Sequence, residues 1–146
     1  MVIEMQNSYP TVAYFSMEFG LDSDFKIYAG GLGILAGDYL KAAKDNMLPV
    51  IGIGIKWKQG YVEQHIDKDG KIVDAFYNNE YGFLQDTGVK VNVKIRERDV
   101  WCKVWKVDCF GNSELYLLDT DLPENSDRWI TGQLYGWFEE ERIAQE

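Results

Sequence analysis

The clearest periodicity in the chain runs through residues 31–47, where Leu32, Leu35, Ala36, Tyr39, Leu40, Ala43 and Met47 recur every three or four positions. That spacing winds one apolar stripe along an α-helix and leaves Asp38, Lys41, Lys44 and Asp45 on the opposite side. Asn46 and then Pro49 supply its stop. Upstream, residues 11–18 (TVAYFSME) are β-branched and aromatic between Pro10 and Gly20, the composition of a buried strand. Downstream, residues 49–57 (PVIGIGIKW) predict a second strand, with Ile51, Ile53, Ile55 and Trp57 on one face and Val50, Gly52, Gly54 and Lys56 on the other. The bare glycine face invites close approach by another backbone or by a ligand. Strand, glycine-rich turn, helix, strand is the βαβ order of a parallel, doubly wound sheet, whose ligands sit beyond the carboxyl ends of its strands.

The pattern changes after residue 58. Residues 59–66 and 71–77 flank Asp67-Lys68-Asp69-Gly70, whose Asp-Gly pair signals a hairpin. Residues 89–96 alternate, with Val89, Val91, Val93 and Ile95 opposite Lys90, Asn92, Lys94 and Arg96, which predicts a strand with one wet face. Residues 100–107 and 114–118 read as two more strands joined through Gly111-Asn112, giving an antiparallel subsheet inserted after the βαβ core. Ser126 is placed to cap a short helix over residues 127–130, and a last helix is expected from Gln133 onward, with no stop signal before Glu146. The predicted organisation is one α/β domain over residues 1–146: a βαβ core at about 10–58, an antiparallel region at about 59–120, and helices at about 126–146.

Composition narrows the function. A chain of 146 residues, 46% hydrophobic and 27% charged, has the size and balance of one globular core. The apolar run at residues 47–55 is about half the ~20 residues of a membrane span. Residues 1–9 carry no basic segment ahead of an apolar one, so a cytoplasmic protein without a secretory leader is expected. A net charge of −9 argues against nucleic acid as a partner, since phosphate-backbone affinity comes from clustered Lys and Arg. With His65 as the single histidine, neither a catalytic triad nor a multi-histidine metal site can be assembled, and no metal is expected. Cys102 and Cys109 lack CxxC spacing and read as buried packing.

The segment best suited to chemistry is Gly30-Gly31-Leu32-Gly33, between an extended stretch and the predicted helix. Glycines there leave backbone N–H groups unobstructed, and the helix adds its partly positive N-terminus, an arrangement that suits phosphate. As a bare pattern, such a glycine cluster is more often a tight turn than a ligand site. These residues lack the Gly-Lys-Ser/Thr ending of a P-loop and the spacing of a dinucleotide fingerprint.

Four blocks, YFSMEFGL (14–21), IYAGGLGILAGDYLKAA (27–43), GIGIKWKQGYVEQ (52–64) and LYLLDTDLPENS (115–126), occur in the order found in α-glucan phosphorylases. Together with ERIAQE at 141–146 they make most of the chain resemble the N-terminal segment of that family, most closely its short prokaryotic form. The resemblance implies a Rossmann-like portion of a two-domain, GT-B-type glycosyltransferase that reversibly phosphorolyses α-1,4-glucan ends to glucose 1-phosphate. It implies that Gly30, Gly31, Leu32 and Gly33 contact phosphate or glucose 1-phosphate, and that Glu18 sits at the same pocket, organising water and sugar hydroxyls. For Glu18 the residues alone equally suggest a partner for a nearby Lys or Arg, and Lys56, Lys58 and Tyr61 read as a solvated edge. Pyridoxal phosphate, the family cofactor, is implied to be held by a Schiff-base lysine outside this segment. The acid, base and sugar-binding histidine are implied to lie outside it too, so the chain alone is expected to be inactive and to need the rest of the enzyme as partner. A homo-oligomer is compatible with the resemblance.

The chain departs from the family at two places: Ala29 stands where long forms have asparagine, and Gly136-Trp137-Phe138 replaces the GGD of short forms. Two other readings remain open. One is a starch or glycogen synthase, in which a lysine precedes the GGLG turn where this chain has Tyr28 and Ala29. The other is a non-enzymatic carbohydrate-binding module, suggested by Trp101, Trp105, Trp129, Trp137 and nine tyrosines.

Overall fold

The computed structural model describes residues 9–145, so the reading of residues 1–8 and the expected continuation of the last helix at Glu146 fall outside the described residues. Within them the chain forms β1 (Val12–Phe15), α1 (Gly31–Asp45), β2 (Val50–Ile55), β3 (Glu63–Ile66), β4 (Ile72–Ala75), β5 (Gln85–Ile95), β6 (Arg98–Val107), β7 (Leu115–Asp119), a 3-10 turn at Arg128–Thr131, and α2 (Glu139–Gln145). One five-stranded sheet runs β1-β2-β7-β6-β5, and β3 pairs with β4 in a separate hairpin. β1, β2 and β7 are parallel, whereas β6 and β5 are antiparallel to their neighbours. The fold is therefore mixed α/β with a parallel core. The antiparallel strands β6 and β5 are not a separate layer: they extend the same sheet beyond β7, and only β3 and β4 stand apart.

The helix and the parallel strands fit through missing side chains. α1 buries Gly33, Ala36, Gly37, Leu40 and Ala43, a narrower stripe than the one predicted. Leu32, Leu35, Tyr39 and Met47, expected on that stripe, are exposed instead. Size decides between the two faces, because the backbone of Gly20 lies so close that a Cβ on Gly37 would sit 2.2 Å from its carbonyl oxygen. Gly20 N–H donates to Gly33 O at 2.7 Å across this contact, and Lys41 Nζ ties the next turn to Leu21 O at 2.8 Å.

β2 repeats the device. Its inward face is Val50, Gly52 and Gly54, and Leu40, Leu115 and Phe19 occupy the space their side chains would take. The bare face of β2 thus receives core side chains and not a ligand. Trp57, Phe19, Phe25, Ile27, Leu40, Leu115, Leu117 and Leu134 close the core with almost no exposure, each contributing about 1.5–3 kcal/mol of apolar burial. Trp57 Nε1 finds Met17 O at 2.7 Å.

Ile51, Ile53 and Ile55 on the other face of β2 are only half-buried. With Phe15, Val93, Ile95 and Ile143 nearby, this face opens into an apolar groove of about 750 Å3. β1 is correspondingly an exposed edge strand, with Val12 and Phe15 open to solvent, contrary to the buried strand its composition suggested. β5 is the other edge, and both its faces are largely wet, Val89 and Val93 included.

Two turns form as their sequences dictate. Gly70, with φ of 77°, closes the β3–β4 hairpin while Asp67 Oδ1 accepts the N–H groups of Asp69 and Lys71. Between β6 and β7, fully buried Asn112 donates to Val107 O and Ser113 O and accepts from Phe110 N–H. Of the two thiols, Cys102 is buried on β6, but Cys109 is exposed. The C-terminal region departs furthest from expectation. Ser126 caps nothing, donating instead to the Asp127 carboxylate. Helix begins only at Glu139, because the segment before it runs alongside Gln59 in backbone hydrogen bonds and Tyr135 adopts a left-handed φ of 55°. Glu139, Glu140 and Glu141 then occupy the first turn of α2, where the helix dipole favours acids.

Candidate functional site

The site region is built where the end of β1 passes under the start of α1. After Phe15 the chain turns on Ser16, whose Oγ donates to Glu18 O and accepts from Glu18 N–H. The turn directs the Glu18 side chain inward, and the residue is only 2% exposed. A carboxylate that deep must be satisfied, and backbone does it: Oε2 accepts from Ala29 N–H at 2.7 Å and from Gly30 N–H at 3.3 Å. Oε1 accepts a short hydrogen bond from the Tyr135 hydroxyl. Burial, then this contact with the Glu18 carboxylate and its charge, pushes the Tyr135 hydroxyl up to about 12, so it remains a donor at neutral pH.

Glu18 is thus neither ion-paired with a described Lys or Arg nor open to water. It clamps the first half of the glycine turn. The other half is free: among the described residues no acceptor meets the N–H groups of Gly31, Leu32 or Gly33, the first three of α1. Gly30, Gly31 and Leu32 are exposed, and a Cβ on either Gly30 or Gly31 would touch nothing within 4 Å. Gly33 differs, since a Cβ there would lie 2.5 Å from Tyr28 Cβ and 2.7 Å from Glu18 Oε2. The motif therefore divides into two glycines facing open space and one required by packing.

Sequence reasoning missed Tyr135, which lies 117 residues from Glu18 and carries no local signal linking the two. It also misplaced Lys56. Lys56 is no solvated edge: its side chain is 15% exposed and pairs with Asp119 at 3.4 Å. Asp119, at the end of β7, also accepts from Trp105 Nε1 and Thr131 Oγ1, binding three strands to the 3-10 turn. Lys58 and Arg128 both hold Asp121, and the Lys58 hydrogen bond leads in drawing that carboxyl below its ordinary range. Tyr61 is half exposed and meets the Tyr135 ring edge-on at 6.5 Å. Among the described residues no group of three or more His, Cys, Asp or Glu side chains could hold a metal ion, and no helix is long and apolar enough to cross a membrane.

No model of a known protein family matches the chain. Individual proteins do. The chain is 45% identical over 84% of its length to an uncharacterized protein of Methanocaldococcus jannaschii, of which it spans 24%. It is 43% identical over 92% of its length to the maltodextrin phosphorylase of Thermococcus litoralis, and 37% identical over 92% to the glycogen phosphorylase of Aquifex aeolicus. It spans 17% and 21% of those two proteins. Over nearly its whole length the chain is similar to proteins named maltodextrin and glycogen phosphorylase, and it spans about a fifth of the length of those relatives.

Proposed function

We propose that this chain supplies the anion-holding turn of an α-glucan phosphorylase, a glycosyltransferase that reversibly phosphorolyses α-1,4-glucan ends to glucose 1-phosphate. The observation that carries this reading is the pair of open glycines, Gly30 and Gly31, at a helix start whose first three N–H groups lack acceptors among the described residues. Fixed amides of this kind hold phosphate because the donors and the helix dipole are already oriented, so little reorganisation opposes binding. Gly31 and Leu32 would donate to phosphate oxygens, Gly30 would leave room for the anion, and Gly33 would keep the helix seated on Tyr28 and Glu18. Glu18 would position the turn by holding Ala29 and Gly30, with Tyr135 fixing Glu18 in turn. The Rossmann-like, GT-B-type architecture, a single domain over residues 1–146 and a cytoplasmic location belong to the same proposal.

Pyridoxal phosphate is implied by the family resemblance, with its Schiff-base lysine in polypeptide outside this segment. Among the described residues, Lys58 and Lys94 line grooves, and each is paired with a carboxylate, Asp121 and Glu97 respectively. The cofactor's lysine, and the remaining catalytic groups, would come from further polypeptide of the intact enzyme.

Amide NMR of the chain titrated with inorganic phosphate tests the turn. Shifts should concentrate on Gly31 and Leu32 and vanish in Gly31→Val. Shifts spread over unrelated surface amides, or unchanged in the variant, would refute the assignment. Release of glucose 1-phosphate from glycogen by the chain alone would overturn its role as a part.

A further inference from the structure

Tyr135 holds Glu18 from an uncommon backbone conformation. A left-handed φ of 55° is one that a residue with a Cβ rarely adopts, and it persists only where the surroundings over-determine it. On the N-terminal side, Leu134 is wholly buried and donates its N–H to Gln59 O at 3.1 Å. The pairing with Gln59 ends there, so the backbone beyond it must be fixed by another element.

That element is α2. Glu141 and Gln145 stand four residues apart, which puts them one above the other on one helical face. Gln145 Oε1 accepts from Gly136 N–H at 3.3 Å, and Gln145 Nε2 donates to Gln133 O at 3.0 Å. One carboxamide thus closes both ends of the Tyr135 turn, accepting and donating without adding charge. Glu141 backs it: a Cβ on Gly136 would lie 2.7 Å from Glu141 Oε2, and the same oxygen accepts from Phe138 N–H at 3.2 Å. Gln145 is 7% exposed, so its amide has little water to turn to if either bond is lost. Tyr61 meets the Tyr135 ring only edge-on at 6.5 Å, a contact that steadies the ring without setting the backbone.

From Tyr135 the contacts continue to the glycine turn. Its hydroxyl donates to Glu18 Oε1, and Glu18 Oε2 accepts from the N–H groups of Ala29 and Gly30 at 2.7 and 3.3 Å. We propose that Gln145 is a positioning residue for the glycine turn: by clasping Gln133 and Gly136 it sets the Tyr135 backbone, and through Tyr135 and Glu18 it fixes the Ala29 and Gly30 amides ahead of α1. If the clasp opens, the hydroxyl leaves Glu18, whose charge is then less offset beside those amides. The use of this device rests on the anion-holding role proposed for the turn, but its geometry does not.

The test is Gln145→Met in the 146-residue chain, a substitution that suits a helix and fills similar space while removing both hydrogen bonds. The amide resonances of Ala29 and Gly30 should move upfield as their hydrogen bonds loosen. Tyr135, pushed up to about 12 by burial and then by Glu18, should ionise earlier. The shift should be about one pH unit, since losing a hydrogen bond to a charged group is worth about tenfold. Gln145→Glu, which keeps an acceptor for Gly136, should move all three signals in the same direction by less. In Tyr135→Phe, where the hydroxyl is already gone, adding Gln145→Met should change the Ala29 and Gly30 amides little further. Asn125→Ala is the control for lost stability alone, because it removes a similarly buried carboxamide that bonds Trp101 and Thr120, and it should leave the three signals in place. Unmoved signals in both Gln145 variants, equal movement in Asn125→Ala, or a full further effect on top of Tyr135→Phe would each overturn the assignment. Inorganic phosphate should also bind Gln145→Met several-fold more weakly. The other readouts need no phosphate, so they decide the role of Gln145 even where the parent chain proves to hold none.

Discussion

Replacing Gly37 by alanine pits two known effects against each other. In mid-helix the substitution should stabilise α1 by about 1 kcal/mol, because glycine is the costlier residue to order. Against that, the new Cβ would lie 2.2 Å from Gly20 O and 2.7 Å from Gly20 C. Those are backbone atoms, so no side chain can swing aside: α1 must lift from residues 18–21 or the Gly20 peptide must move. Either shift stretches the Gly20 N–H to Gly33 O hydrogen bond, 2.7 Å in the folded chain. Overpacking of this sort costs about 1–3 kcal/mol, and loss of a hydrogen bond adds about 1 kcal/mol. The expected net is a destabilisation of about 2 kcal/mol, which lowers the urea midpoint by about 1 M for a slope near 2 kcal/mol/M. Gly31→Ala is the internal control, since its Cβ meets nothing and its stability should match or slightly exceed the parent. Urea unfolding followed by tryptophan fluorescence reads both. A Gly37→Ala chain as stable as the parent would show that helix and turn are not pressed together as described.

Three further outcomes can be checked. In an absorbance titration Tyr135 should ionise near 12, later than exposed tyrosines, and Glu18→Gln should bring it earlier. Because the folded value is raised above the ordinary 10.0, the stability this hydroxyl contributes is complete below about pH 10 and lost as pH climbs through about 12. Asn112→Ala should destabilise the chain by about 2 kcal/mol in urea unfolding, since it strands the buried Val107 carbonyl and weakens the half-buried Ser113 carbonyl and Phe110 N–H contacts. Glu18→Gln should tighten inorganic phosphate binding in the amide titration, by up to about a hundredfold, because the carboxamide can still accept from Ala29 while donating to the Tyr135 oxygen, and a neighbouring negative charge is gone.

Legibility in the sequence followed the length of the signal. α1 and β2 were legible because fifteen and six residues keep one period, and the β3–β4 turn was legible because Asp-Gly fixes it locally. Which face each element buries was not, because hydrophobic pattern rewards large side chains whereas Gly33, Gly37, Gly52 and Gly54 are buried for having none. Leu32, Leu35 and Tyr39 therefore looked inward and point outward. The segment 133–138 read as helix because its composition permits one. Pairing with Gln59, more than seventy positions earlier, and the left-handed turn at Tyr135 keep it out of a helix.

The glycine turn was legible as a motif, but its electrostatics required the fold. A buried carboxylate at a helix start opposes an incoming anion: two unit charges about 6 Å apart interact by about 3 kcal/mol at an effective dielectric of 20. The helix dipole returns only about 0.3–1 kcal/mol at an exposed terminus. Glu18 offsets part of its own charge through Ala29, Gly30 and Tyr135, yet the same contacts remove two amides from any ligand. Lys41, on the same helix, is tied to Leu21 O, and Lys56 is held by Asp119, so neither restores the balance. An anion on Gly31 and Leu32 would then bind this chain weakly, and tight binding would need a cation brought by other polypeptide. On this balance, in the proposed function, Glu18 would act as the brace of the turn, giving up anion affinity to hold the amides in place for a charge supplied from outside.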